Sequence, residues 1–176
     1  MKNFIITLAI LLAFATLIVF QTDSNNLATE KEKLKYVCED ASNAATLNIN
    51  TESFGNGYLV YDYDKANEDL FNIIKLKLSL DQTNIPARYY TAPISYSVYY
   101  FDDTLVQKTY INGVKQDNKE FRYGDEWTEP VTGKVIRIED PMAIVTISAG
   151  APKMRLAFLA NKVTVSESSA YEYKTD

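Results

Sequence analysis

The sequence predicts an α+β chain: an N-terminal transmembrane helix, then short amphipathic helices, then an antiparallel β-sheet. Three observations carry that prediction. The run Phe4 to Phe20 is apolar and uncharged, apolar residues beyond it recur at three- and four-residue steps, and from Pro93 onward the period changes to two.

The seventeen apolar or near-apolar residues of the first run cover about 26 Å as a helix, the short end of what crosses a bilayer core. A helix is the one single segment that satisfies its own backbone there. Ala13-Phe14-Ala15 has the small-x-small form of a signal-peptide cleavage site, which is the competing reading. Cleavage there would leave Thr16 to Phe20 as an exposed apolar N-terminus, so an uncleaved signal anchor is preferred. No cysteine lies near the end of the run, which excludes a lipoprotein anchor. Lys2 at the front is set against Lys31, Lys33 and Lys35 behind, a near tie by charge. The short leading segment and long trailing domain favour an N-in, C-out orientation. The expected layout is an anchor over 1–20, a polar linker over 21–26 (QTDSNN) and an extracytoplasmic domain over 27–176.

About 150 residues beyond the anchor suffice for one domain with a real core. Beyond residue 20 the chain has 17 basic and 23 acidic residues, a net charge of −6. Such a surface repels nucleic acid and anionic lipid headgroups, and no basic run offsets it. The chain has no histidine, which removes His-based acid-base chemistry, His-activated nucleophiles and nearly all zinc and copper sites. With one cysteine no intrachain disulfide forms, so stability comes from packing. No cofactor or metal is expected, and the chain reads as a non-enzyme.

Taken in order, Leu27 is expected to begin a second helix, in which Leu34, Val37, Cys38, Ala41, Ala44 and Ala45 fall on one face. The small side chains of that face allow close approach, either of the domain's own sheet or of a neighbouring subunit. Gly55-Asn56-Gly57 breaks the helix and opens an extended piece over 59–61. Asp64 is placed to cap a helix from Lys65 to about Leu78 with Leu70, Phe71, Ile73, Ile74 and Leu78 buried. Leu76, Leu78 and Leu80 also alternate, so its end reads equally as a strand. Ile94, Tyr96, Val98 and Tyr100 then alternate with Ser95, Ser97 and Tyr99, Asp102-Asp103 turns the chain, and 105–111 returns it to the hairpin signal Asn112-Gly113. Residues 116–133 read as an exposed loop with a local anchor at Phe121, Tyr123 or Trp127. Strands are expected over 134–139, 142–149, 154–159 and 163–166, and a further one over 171–173.

Asp62-Tyr63-Asp64 with Glu68 and Asp69 looks like a calcium loop but fails its pattern, since Ala66 occupies a ligand position. A capped helix start is the simpler account. Asp125, Glu126 and Glu129 around Trp127 read as a surface turn. The thirteen tyrosines suit half-buried strands and also sugar-facing platforms. Ser166, Ser168 and Ser169 have no histidine to activate them.

An N-terminal hydrophobic helix, then Glu39-Asp40-Ala41-Ser42-Asn43-Ala44-Ala45, then a β-rich domain ending in Val163-Thr164-Val165 and Ser168-Ser169-Ala170 resembles the TadE-like minor pilins and related pilin-like proteins. The resemblance implies a single-pass component of a pilus or secretion assembly, with the bilayer (through residues 4–20) and other membrane or pilin-like subunits as partners. There are departures. No glycine ends a leader before Phe4, no glutamate lies in the anchor, and the cysteine pair of some members is absent, so prepilin-peptidase processing is not implied. On this reading Leu34, Val37, Ala41 and Ala45 are the candidate contacts with other subunits. The alternative is a membrane-anchored module that binds a small molecule or cell-wall glycan on the tyrosine-rich sheet.

Overall fold

The computed structural model describes residues 2–80, 90, 93–150, 154–155 and 164–173. Its first element is one unbroken helix, α1 (Lys2–Thr46), of 45 residues. At about 1.5 Å per residue it is about 68 Å long. The expected linker over 21–26 is therefore not a break. Asp, Ser and Asn disfavour helix interiors only mildly, and no proline or glycine precedes Gly55 to stop the helix. Thr22 and Thr29 turn their hydroxyls back onto the carbonyls of Ile18 and Asn25, so these polar side chains are accommodated within the helix.

A short helix, α2 (Thr51–Gly55), is capped by the Asn50 side chain, and α3 (Tyr63–Leu78) by Asp62 rather than Asp64. Asp62 accepts from the Lys65 N–H, so the acidic start is a helix cap, and Asp69 accepts from Asn48 Nδ2. The helix runs through Leu78 and stops at Ser79, which takes a left-handed conformation (φ 53°). Leu70, Ile74 and Leu78 are buried with Ala66, while Phe71 and Ile73 are partly buried against the same core. Leu76 is exposed, as the helical period requires of it and a strand alternation would not.

The sheet is antiparallel. Its strands are β1 (Ser95–Phe101), β2 (Val106–Ile111), β3 (Val114–Lys115), β4 (Lys119–Glu120), β7 (Met142–Gly150) and β8 (Thr164–Glu172), in the order β3-β2-β1-β7-β8 with β4 also on β2. Asn112 and Gly113 both have positive φ (50° and 78°) and close the β2–β3 turn, with the Asn112 side chain accepting from the Tyr96 N–H. The two end strands expected over 163–166 and 171–173 are one continuous strand, in register with β7 from Gly150↔Thr164 to Met142↔Glu172. Of the strand expected over 154–159, only Met154 and Arg155 are among the described residues, and neither lies in a strand.

Both faces of the sheet are covered. Tyr96, Val98 and Tyr100 of β1 and Val145 and Ile147 of β7 meet α1 and α3 on one side. On the other, Tyr99, Phe101, Met142 and Ile144 pack with Phe121, Tyr123 and Trp127. The second cover comes from the hairpin β5 (Glu126–Thr128) and β6 (Val135–Arg137); β5 lies within the stretch expected to be an exposed loop, and β6 within the strand expected over 134–139. This is why β1 is buried on both faces although its sequence alternates. Glu129, expected on a surface turn, is fully buried. Its carboxylate accepts from the Val131 and Thr132 N–H groups and the Thr132 hydroxyl, closing the turn between β5 and β6.

Candidate membrane and assembly interface

From residue 4 to residue 18 every position of α1 is exposed. Phe4, Ile5, Leu11, Leu12, Phe14 and Leu17 point to every side of the helix and are 57–72% exposed. This helix is long and apolar enough to cross a membrane. The two hydroxyls within the run, on Thr7 and Thr16, donate to the carbonyls of Asn3 and Leu12 at 2.9 Å, so neither presents an unsatisfied polar group to a hydrocarbon surround.

The second half of the same helix is the spine of the domain. Leu34, Val37, Ala41 and Ala45, the residues expected to meet other subunits, are between 0% and 2% exposed and lie together in the chain's own core. That is a correction: the face is occupied by β7, β8 and α3, and no partner reaches it without opening the fold. The alanines do allow close approach, and what approaches is the domain's own sheet. Cys38 on this face donates its thiol to the Glu167 carbonyl at 3.2 Å. Burial, reinforced by Glu167, Glu39 and Glu129, pushes its pKa up to about 12, so it is an inert packing residue rather than a nucleophile.

The buried stripe of α1 continues toward the apolar run through Glu30 and Asp23. Glu30 accepts from the Tyr90 hydroxyl and Asp23 from the Arg155 N–H. The domain thus grips the helix to within three residues of Phe20. Sequence reasoning missed this because Asp23 has the form of a linker or cap residue; only its place one heptad before Glu30, in line with Leu34 and Val37, signals an inward side chain.

At the far end of the domain Asp102 and Asp103 form a polar knot at the end of β1. Asp102, fully buried, accepts from the Tyr61 N–H, the Tyr63 hydroxyl and the Thr104 N–H and hydroxyl. Asp103 accepts from the Leu59 N–H and the Tyr123 hydroxyl. Burial and donation to these carboxylates hold the Tyr63 and Tyr123 phenols above the ordinary tyrosine range. The knot ties the segment between α2 and α3 to the sheet, and its oxygens are engaged by the protein itself.

Compared with protein-family models, with curated proteins and with solved structures, the chain finds no match in any of the three.

Proposed function

We propose that this chain is a non-enzymatic, single-pass, pilin-like component of a cell-surface assembly, held in the bilayer by residues 4–20 with its domain on the extracytoplasmic side. The observation that supports the reading is the division of α1 into a bare apolar half and a half built into the domain core, with no hinge between them. On this reading the contacts with other subunits are those of the apolar half. Lateral packing there sets the position of the whole domain, because a continuous helix carries a shift at one end to the other. Van der Waals packing of small and large side chains is the force available for such contacts in lipid.

The rival reading, a glycan or small-molecule platform of tyrosine rings, needs an exposed row of rings beside a groove. Tyr61, Tyr90, Tyr96, Tyr99, Tyr100 and Tyr110 are all buried, which counts against it. The exposed Tyr36, Tyr58 and Tyr171 lie apart, on α1, on the segment after α2 and on β8.

The test is purification of the tagged full-length protein from its native membrane in mild detergent, with mass spectrometry of its N-terminus and of what accompanies it. Recovery with other single-pass or export-machinery subunits, beginning at Met1, is the expected result. Cysteine substitutions along residues 8–18 should then cross-link to those partners at three- and four-residue intervals. A solitary chain with no cross-links at any position refutes the assembly role, and an N-terminus at Thr16 refutes the anchor.

A further inference from the structure

The chain is acidic overall, yet where α1 leaves the apolar run the helix turns its first two acids inward. In the turns after Phe20 the exposed residues are the neutral Gln21, Ser24, Asn25 and Asn26, while Asp23 and Glu30 are buried against the domain. Asp23 stands about 4.5 Å along the helix axis from Phe20, at the level of a bilayer surface if the run spans one. Its Oδ1 accepts from the backbone N–H of Arg155 at 3.1 Å. That bond sets the backbone of Arg155, which follows β7 in the chain, at the same level, and the Arg155 side chain is exposed. The next exposed charge on α1, Lys31, is about 16 Å along the axis from Phe20. In sequence, Arg155 belongs to the stretch 151–163, which has two other bases, Lys153 and Lys162, and no acid, within a chain of 18 bases and 23 acids. A guanidinium is the side chain best suited to a phosphate diester, through two parallel N–H donors.

We propose that Arg155, with Met154 beside it, makes a second contact between the domain and the membrane, the guanidinium binding the phosphate of an anionic lipid headgroup where α1 emerges. Asp23 is the positioning residue, since its carboxylate holds the Arg155 backbone at that depth. The inference rests on the reading that residues 4–20 span the bilayer. With the helix alone, the domain is free to rotate about the α1 axis relative to its neighbours; a second lipid contact fixes which side of the domain faces the bilayer.

Cys38, the chain's single cysteine, is buried, so introduced cysteines can be labelled selectively. Full-length Met154→Cys and Ala13→Cys variants carrying a nitroxide are placed in nanodiscs of phosphatidylcholine, with or without phosphatidylglycerol. Depth is read from collision with oxygen against a water-soluble nickel chelate. The expected result is an Ala13 label at the bilayer centre in both discs and a Met154 label at headgroup depth, less accessible to nickel by about fivefold when phosphatidylglycerol is present. Adding Arg155→Glu removes that lipid dependence and leaves the Ala13 depth unchanged. An embedded Ala13 label with an aqueous Met154 label in both discs overturns the second contact and leaves the anchor standing. A Met154 label at headgroup depth that ignores both phosphatidylglycerol and Arg155→Glu overturns headgroup recognition. Protection of Met154 only in discs holding two copies overturns the lipid contact in favour of a second chain. An aqueous Ala13 label refutes the spanning reading itself.

Discussion

Leu34→Ala separates the two roles that the apolar face of α1 has been given. Leu34 is fully buried between helix and sheet, and its truncation removes buried methyl and methylene groups and leaves a cavity. Such a change costs about 2–5 kcal/mol in a packed core. For a domain of this size each kcal/mol moves the midpoint by about 2–4 °C, so the melt should fall by roughly 4–20 °C. The assay is thermal unfolding of the full-length protein in detergent, followed by the fluorescence of Trp127, which packs on Tyr99 and Phe101 across the sheet. Leu11→Ala, in the exposed half of α1, is the control and should leave the midpoint unchanged. A Leu34→Ala protein that melts like wild type yet loses its partner subunits would refute the reasoning, since the face would then be an interface and not core.

Three further expectations follow from the polar interior. Cys38, with its pKa pushed up to about 12 from 9.0, contributes stability that is complete below about pH 9 and is lost as pH rises toward 12; the buried Tyr61 and Tyr100 phenols, also raised, act in the same direction above pH 10. Thiol labelling and the tyrosinate absorbance of the buried phenols should therefore appear together with alkaline unfolding, and labelling of the folded protein at pH 8 would contradict this. Tyr63→Phe removes one donor from the buried Asp102 carboxylate and should cost about 1–3 kcal/mol in denaturant unfolding, with Asp102→Ala costing more because four donors lose their acceptor. Glu129→Ala frees the Val131 and Thr132 N–H groups, and faster amide hydrogen exchange across residues 126–137 is the expected reading, with the rest of the sheet little changed.

Local chemistry was enough to read much of this protein. The uncharged run over 4–20, the change of period at Pro93, the Asn112-Gly113 turn and the α+β order all follow from side-chain type and spacing, because helices and strands advertise their buried faces at periods of 3.6 and 2. The stripe Leu34, Val37, Ala41 and Ala45 was equally legible as a buried face, but not what buries it, since periodicity records that a side is covered and says nothing of the chain that covers it. Tertiary structure decided that point, and it decided others for the same reason. Gln21 to Asn26 has the residue types of a linker, yet it is helix because nothing in it breaks one and the domain takes up Asp23 from the side. Glu129 has the look of a surface acid, yet it lies inside because two backbone N–H groups and a hydroxyl in the turn ahead of it converge on its carboxylate. The stretch around Trp127 is polar enough for a loop, yet three aromatic rings within it carry it onto the sheet face of Tyr99, Phe101, Met142 and Ile144. In each case the deciding partner lies at a distance along the chain, or in a turn whose shape only the folded chain sets.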